Sequence, residues 1–293
     1  MILVVGATGH LGGEICRRLA ARGLPVRGLV RPTSAPEAVA SLRGIGAELV
    51  EGDLRNSASL LGAILGVTNV VSTATATRSR QPGDSVEATD GQGQAALVEV
   101  ARHADVRHFV YVSYSGQLGV DDPLTLAKRG NEARLRESGL SYTILRPSYF
   151  MEAWLSPALG FDYPNRRATI YGDGAAPISW ISLADVAEFA VQSLANPAAR
   201  NAALELGGPE ALSPTQVIRI FEQVGGKPFE VQRVPIAALE AQLAAAPDSL
   251  QRSFAALMLA YAKGDPIPMA QTLARFHVPL TSVQDYARRA LAA

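Results

Sequence analysis

The sequence predicts an α/β protein with a doubly wound parallel sheet and a smaller, mostly helical C-terminal lobe. Short apolar runs alternate with amphipathic segments through the first half of the 293 residues, which is the pattern of a parallel sheet covered by helices on both faces. From Ser213 onward the pattern is mostly helical, with long alanine-rich segments. Hydrophobic residues make up 48% and charged residues 18%, an ordinary balance for a globular chain. One or two domains are therefore expected.

The elements follow one another in a regular order. The predicted strands span residues 2–5, 26–30, 47–51, 69–73, 108–113, 142–146 and 203–206. The predicted helices span residues 11–22, 57–65, 87–103, 127–138 and 182–194. A polar loop over 77–85 separates the fourth strand from the next helix, and an aromatic, turn-rich stretch follows Pro147.

A glycine string follows the first strand directly and opens the first helix. It runs Gly6-Ala7-Thr8-Gly9-His10-Leu11-Gly12. The first glycine permits a tight turn, the second lets the backbone approach a pyrophosphate, and the third lets the helix pack close to the strand with its N-terminus toward the anion. In this context the string indicates a Rossmann dinucleotide-binding domain, with a tight turn without a ligand as the alternative. His10 either touches a phosphate or is simply exposed where the helix starts.

Arg31, at the end of the second strand, predicts which dinucleotide binds. A site for NAD usually carries an acidic residue about 20 residues after the loop, whereas an arginine there suits the 2′-phosphate of NADP. No carboxylate lies at this strand end, and Arg31 supplies a planar, permanently charged group. NADP(H) is therefore expected in preference to NAD(H), which stays open as a second coenzyme. The alternative is an exposed arginine that binds nothing.

Two further strand ends are candidate cofactor-binding positions. Asp53 follows the third strand, where it either accepts a hydrogen bond from the adenine amine or caps the next helix. Thr73, Ala74 and Thr75, at the end of the fourth strand, are expected to line the pyrophosphate or ribose, because ligands of such sheets bind at the carboxyl ends of the strands. Residues 1–150, rejoined by 182–206, are the expected dinucleotide domain, and 151–181 with 207–293 the expected substrate lobe.

Composition narrows the class of partner. The 27 basic and 27 acidic residues give a formal net charge of +0, so there is no basic field to bind nucleic acid or anionic lipid. No run of about 18 apolar residues is present to span a bilayer, and the N-terminus lacks the features of a signal peptide. Cys16 is the single cysteine and the four histidines show no metal-ligand spacing. We expect a cytoplasmic protein with a small-molecule substrate and no metal.

Several motifs taken together resemble one family, the NmrA-like members of the atypical short-chain dehydrogenase/reductases. They are Gly6-Ala7-Thr8-Gly9, the strand ending at Arg31, Gly52-Asp53-Leu54, Phe109-Val110-Tyr111-Val112-Ser113 and Ser138-Gly139-Leu140-Ser141-Tyr142-Thr143-Ile144-Leu145-Arg146-Pro147. The resemblance covers roughly residues 1 to 190. It implies an NAD(P)-binding domain with a small substrate lobe. It also implies either a quinone-reductase-like or isoflavone-reductase-like enzyme, or a regulator that binds the dinucleotide without turnover.

The residues that would perform the chemistry are less clearly marked. No tyrosine has a lysine four residues later, so the acid/base pair of typical short-chain dehydrogenases is absent. The resemblance places Lys128 where the family's lysine faces the nicotinamide ribose. A desolvated amine there can polarise or protonate a carbonyl, and the alternative is a solvated lysine on a polar helix face. Ser113 and Tyr114, at the end of the fifth strand, are candidates for orienting a substrate carbonyl.

The stretch after the sixth strand supplies the expected nicotinamide and substrate contacts. Pro147 and Phe150 would border the nicotinamide, with Phe150 or Tyr149 stacked on it. Tyr149, Met151 and Trp154 would form an apolar substrate wall, and the alternative is that these side chains fill the lobe's own core. The leading hypothesis is an NADPH-dependent oxidoreductase that reduces a quinone or an enone. The alternative is a non-catalytic NADP(H)-binding redox sensor or assembly protein with a protein partner.

Overall fold

The protein is described by a computed structural model covering residues 1–77, 81–119 and 121–292. Part of the predicted loop over 77–85 falls on residues 78–80, which lie outside the described residues. The chain divides into two compact units. The first consists of Met1–Tyr114, Pro123–Arg146 and Val186–Leu204, and the second consists of Ser115–Asp122, Pro147–Asp185 and Glu205–Ala293. The expected assignment of cofactor to one domain and substrate to the other stays a prediction.

Strands and helices alternate through most of the chain. The strands are β1 Ile2–Val5, β2 Val26–Val30, β3 Glu48–Glu51, β4 Asn69–Ser72, β5 His108–Val112, β6 Ser141–Pro147, β7 Phe161–Asp162, β8 Arg167–Tyr171, β9 Ala202–Leu206 and β10 Glu230–Val234. The α-helices are α1 His10–Ala21, α2 Pro36–Gly44, α3 Ser57–Ala63, α4 Gln94–Arg102, α5 Pro123–Glu137, α6 Met151–Trp154, α7 Leu183–Ser193, α8 Pro214–Gly225, α9 Ile236–Ala245, α10 Ser249–Lys263, α11 Ala270–Leu273 and α12 Val283–Ala292.

A seven-stranded sheet forms the centre of the first unit, in the order β3-β2-β1-β4-β5-β6-β9. The pairs from β3 to β6 are all parallel. Strand β1 lies between β2 and β4, so the chain reverses its direction of travel across the sheet there. In such folds the ligand binds at the carboxyl ends of the strands beside this reversal. The predicted doubly wound sheet is confirmed, and each predicted strand of this sheet agrees with the structure to within one residue at either end.

The core of the first unit explains why its strands are continuous apolar runs. All four residues of β1 and all five of β5 are buried, as expected for parallel strands covered on both faces. Leu3, Phe109 and Ile144 lie in one cluster with Leu60 and Leu97 from the covering helices. Helix α2 was not predicted, because only Leu42 of this helix is buried and its apolar pattern is weak.

One helix of the first unit has an unusual beginning. The segment predicted as a single helix over 87–103 starts as a π-helix over Val86–Gly93 and continues as α4. Ser85 precedes it, and its side chain accepts a hydrogen bond from the Ala88 amide. Helix α5 begins at Pro123, four residues before its predicted start.

The second unit contains helices and a three-stranded sheet in the order β10-β8-β7. This sheet was not predicted, because β7 has only two residues and β10 has few apolar side chains. Its aromatic residues form their own cluster, in which the ring centroids of Trp154 and Tyr261 lie 5.5 Å apart and those of Tyr149 and Trp154 lie 4.8 Å apart.

Two further features of the described residues concern helix length and potential metal ligands. Over those residues, every helix is too short or too polar to cross a membrane. Within the same residues, no group of three His, Cys, Asp or Glu side chains is arranged to hold a metal ion.

Candidate functional site

The glycine loop has a geometry that only glycine permits at two positions. Gly6 has φ +86°, and a Cβ on it would lie 2.9 Å from the Ala74 amide nitrogen. A Cβ on Gly12 would lie 2.1 Å from the Gly6 carbonyl oxygen. The loop therefore turns tightly against the end of β4 and lets α1 start directly against β1.

The start of α1 is open to an anion. Gly9 precedes the helix and has no side chain with which to cap its first amides, so these donors are left for solvent or a ligand. His10 is exposed, Thr8 is half-buried and Leu11 is buried in the core. Leu11 can thus contribute only its backbone to a ligand. The arrangement fits a pyrophosphate, and the individual contacts stay predictions.

Arg31 is part of an ion-pair cluster at the end of β2. Its Nη1 donates to both carboxylate oxygens of Asp84, at 2.9 and 3.0 Å. The Asp84 side chain is only 2% exposed, and it also lies 3.4 Å from Nη1 of Arg55. Arg31 is therefore ion-paired and partly buried rather than solvated, and contact between its guanidinium and a 2′-phosphate stays a prediction. Asp84 and Arg55 were missed because they lie far from Arg31 in sequence and belong to no motif.

Asp53 pairs with Arg55. Its carboxylate accepts hydrogen bonds from the Arg55 amide at 2.9 Å and from Nη2 at 2.6 Å. The Arg55 side chain lowers the pKa of Asp53, so the carboxylate is ionised. Asn56, rather than Asp53, precedes α3, so the alternative in which Asp53 caps that helix is wrong. A bond to the adenine amine stays a prediction.

The loop after β4 is held by side chains of the following helical segment. Thr73 donates from its amide to the Val5 carbonyl at 2.9 Å, beside Gly6. The Ala74 carbonyl accepts from Nε2 of Gln94 at 2.8 Å, and the Ala76 amide donates to Oδ2 of Asp90 at 2.8 Å. Thr73, Ala74 and Thr75 therefore lie in a fixed loop beside the glycine turn.

Lys128 is buried, with 6% of its surface exposed. Its Nζ lies 3.4 Å from the Val112 carbonyl at the end of β5 and 3.7 Å from Oδ1 of Asp90. It also lies 5.5 Å from the centre of the Tyr111 ring. Burial lowers the pKa of Lys128 and the Asp90 carboxylate opposes that shift. The alternative of a solvated lysine is wrong, since the side chain is buried, and contact between the amine and a nicotinamide ribose or a substrate stays a prediction.

Both candidate hydroxyls already have partners. Ser113 donates to Oε1 of Glu132 at 2.7 Å, and the Tyr114 hydroxyl shares a short hydrogen bond with Thr125. Glu132 is fully buried and also binds the guanidinium groups of Arg129 and Arg146. Burial raises the pKa of Glu132, but hydrogen bonds from Arg146 and Ser113 outweigh burial and keep that pKa below its usual range. Contact between these hydroxyls and a substrate stays a prediction.

The residues expected to contact nicotinamide and substrate belong to the second unit. Tyr149 is buried, and its hydroxyl donates to the Leu257 carbonyl at 3.1 Å; Met151 is fully buried. Pro147 is also buried, whereas Phe150 and Trp154 are half-buried. Tyr149 and Met151 thus fill the core of their unit, as the alternative proposed, while Phe150 and Trp154 retain some exposed surface, and their contact with nicotinamide or substrate stays a prediction.

A parallel sheet opened by a glycine turn defines a dinucleotide-fold α/β protein. Within that class, this chain belongs to the NmrA-like family, whose family profile matches residues 1–286. The resemblance seen in the sequence is confirmed.

Relatives of this chain carry different names. It is 33% identical over 282 residues to a (4-alkanoyl-5-oxo-2,5-dihydrofuran-3-yl)methyl phosphate reductase of Streptomyces griseus subsp. griseus, covering 93% of this chain and 92% of the relative. It is 30% identical over 240 residues to the photosystem II assembly factor Ycf39 of Trieres chinensis, covering 80% of this chain and 72% of the relative. A solved structure of the same fold is the NADPH-dependent quinone oxidoreductase of Escherichia coli complexed with NADPH, with 22% identity, a TM-score of 0.79 and 99% coverage of both chains.

Proposed function

We propose that this protein is an NADPH-dependent oxidoreductase that transfers hydride to a small apolar acceptor such as a quinone or an enone. The observation that carries the proposal is the buried amine of Lys128, which lies at the carboxyl end of β5 in a sheet opened by a dinucleotide-type glycine loop. Support comes from the reductase in Streptomyces and from the quinone oxidoreductase complexed with NADPH.

The coenzyme part of the proposal rests on the first unit. The Gly6–Gly12 turn leaves backbone close to the sheet edge, and the uncapped start of α1 attracts a phosphate. Arg31 supplies a positive group at the end of β2, where the 2′-phosphate of NADP lies in such folds. The nicotinamide, when bound, supplies the hydride, which is two electrons and one hydrogen nucleus.

The chain itself would bind and orient the coenzyme and the acceptor, and would protonate the reduced acceptor. An acceptor that takes a hydride gains negative charge on its oxygen, and one proton completes its reduction. The ammonium group of Lys128 can donate a hydrogen bond and then that proton, and it recovers the proton from water. Quinones need little further acid/base assistance, so the missing tyrosine-lysine pair does not prevent the reaction.

A non-catalytic NADP(H)-binding assembly or regulatory protein is the second candidate. The relative in Trieres chinensis is named as an assembly factor. In addition, Tyr149 and Met151 fill their own unit's core, and the Ser113 hydroxyl is already bonded to Glu132. A protein of this kind would bind the coenzyme and present a surface to a partner.

The deciding experiment follows NADPH oxidation against a panel of quinones and enones, with NADPH and NADH binding titrated in parallel. In Lys128→Met, loss of the proton donor is expected to lower kcat by about 10²- to 10⁴-fold while NADPH still binds. Lys263→Met, which alters an exposed lysine, is the matched control and should be unaffected.

The outcomes separate the candidates. Saturable turnover that depends on Lys128 supports the oxidoreductase. Tight NADPH binding without turnover across the panel favours the assembly or regulatory protein instead. If neither coenzyme binds, both candidates are wrong.

A further inference from the structure

A buried carboxylate in the π-helix faces the buried lysine. Asp90 lies within Val86–Gly93 and is fully buried. Its Oδ2 accepts from the Ala76 amide at 2.8 Å, whereas its Oδ1 finds no hydrogen-bond partner among the described residues. That oxygen lies 3.7 Å from Nζ of Lys128. A buried carboxylate is costly unless it is paired, so Asp90 requires a positive partner and Lys128 is next to it.

The other charged and titratable groups near Lys128 have partners of their own. From α5, Glu132 is bonded to Ser113, Arg129 and Arg146, and Arg129 lies over the ring of Tyr114. From β5 and its end, Tyr111 and Tyr114 face Nζ through their rings. Burial raises the pKa of Tyr111, which keeps that phenol neutral. The carboxylate that balances the lysine is therefore that of Asp90.

The distance between the Asp90 carboxylate and the Lys128 amine leaves N–H donors of the lysine available for a ligand. An ammonium group has three N–H donors. The Val112 carbonyl accepts one of them, at 3.4 Å, and 3.7 Å from Oδ1 of Asp90 is longer than an ordinary hydrogen bond. Asp90 thus stabilises the charge on Lys128 while leaving donors for a ribose hydroxyl or an acceptor oxygen.

The same carboxylate holds the loop after β4. Asp90 accepts from Ala76, and Gln94, four residues later in the same helical segment, donates to the Ala74 carbonyl at 2.8 Å. These side chains fix the loop that is expected to line the coenzyme. Asp90 therefore connects that loop to the lysine across the carboxyl ends of β4 and β5.

We propose that Asp90 is a positioning residue for Lys128. It is the counter-ion that keeps the buried ammonium group charged, and it fixes the position of that group relative to the loop over residues 73–76. The inference rests on the proposed function. Without this carboxylate the buried amine would lose its proton more readily, because burial disfavours the charged form. The amine would also lose one of the two groups that determine its position.

The first test measures the lysine directly. The chain has only three lysines, Lys128, Lys227 and Lys263, so protein labelled with ¹³C at the lysine ε-carbon gives three resolvable NMR signals, and Lys128→Met identifies one of them. In Asp90→Asn the titration midpoint of the Lys128 signal should move to lower pH, while those of the other two stay in place. An unchanged midpoint would overturn the inference.

The matched control is the neighbouring residue. Thr89 is buried in the same π-helix, and its hydroxyl has no partner among the described residues. Thr89→Val therefore changes the same segment without altering charge, and it should leave the Lys128 signal and turnover as they are. An equal effect of both variants would show that Asp90→Asn acts only by disturbing the helix.

Kinetics supply the second readout. Asp90→Asn should lower kcat by about 10- to 100-fold through misplacement of the amine, with a much smaller change in the KM for NADPH. The alkaline limb of the pH–rate profile should move to lower pH. A loss confined to KM, with the limb in place, would contradict a positioning role.

A double variant covers the case in which Asp90→Asn folds poorly. Asp90→Asn combined with Lys128→Met removes both buried charges and should unfold at a higher temperature than the less stable single variant, because no unpaired charge remains. Additive destabilisation would overturn the pairing. The NMR titration and the unfolding measurements need no turnover, so they distinguish failure of the pairing from failure of the proposed function. If only the proposed function fails, the shift of the Lys128 signal is seen but no acceptor is reduced.

Discussion

Arg31→Ala tests the coenzyme preference, and the size of its effect follows from the contacts of Arg31. A hydrogen bond to a charged group contributes about 1.5–3 kcal/mol net. Asp84 already accepts from Nη1 of Arg31, so a 2′-phosphate would share the guanidinium with a carboxylate. The loss of NADPH binding free energy in Arg31→Ala should therefore lie in the lower half of that range, so that the Kd for NADPH rises about 10- to 40-fold. NADH lacks the phosphate and should bind almost as before.

The variant should fold, because Arg55 stays 3.4 Å from Asp84 as a partner for that buried carboxylate. The assay is a titration of each coenzyme, followed by calorimetry or nicotinamide fluorescence, at two salt concentrations. Arg17→Ala, in which a largely exposed arginine of the first unit is removed, is the control. Equal losses for NADPH and NADH would refute the assignment of Arg31 to the 2′-phosphate.

Two further predictions concern the loop and the core. Gly12→Ala should abolish dinucleotide binding, because its Cβ would lie 2.1 Å from the Gly6 carbonyl oxygen. The control is Gly13→Ala, whose Cβ would lie at an ordinary contact distance of 3.4 Å and which should bind the dinucleotide normally. Similar binding by both variants would contradict the geometry. His108 has a pKa lowered to about 4 by burial and by Arg200. The His108 imidazole takes up a proton near pH 6.5 in the unfolded chain but only near pH 4 in the folded chain. The stability that the neutral imidazole contributes above pH 6.5 should therefore be lost as the pH drops toward 4. The loss is about 2 kcal/mol by pH 5, and urea unfolding should show it in the wild type but not in His108→Gln.

Much of the first unit could be predicted from local sequence. Buried parallel strands are continuous apolar runs, so their ends were found to within one residue. The glycine loop was recognisable because backbone that turns at positive φ and lets a helix start against a strand excludes side chains. By contrast, β7 and β10 were missed because short or half-exposed strands have no such apolar run.

The candidate site shows the same division between local pattern and distant contact. Arg31 and Lys128 stood out in the sequence, by their place at a strand end and by family resemblance. Their partners, Asp84 and Asp90, did not, since nothing local distinguishes a carboxylate that will be buried against a distant cation from a solvated one.

The sheet, the glycine turn and Arg31 could therefore be found from the amino-acid sequence, because they depend on spacing along the chain, and Lys128 could be found from the family resemblance. The burial of Lys128 and the position of Asp90 opposite it could be found only in the folded protein. Burial and charge pairing depend on which elements pack together. Asp90 lies in the π-helix Val86–Gly93 that precedes α4, and this segment packs with its carboxylate next to Lys128 at the end of β5.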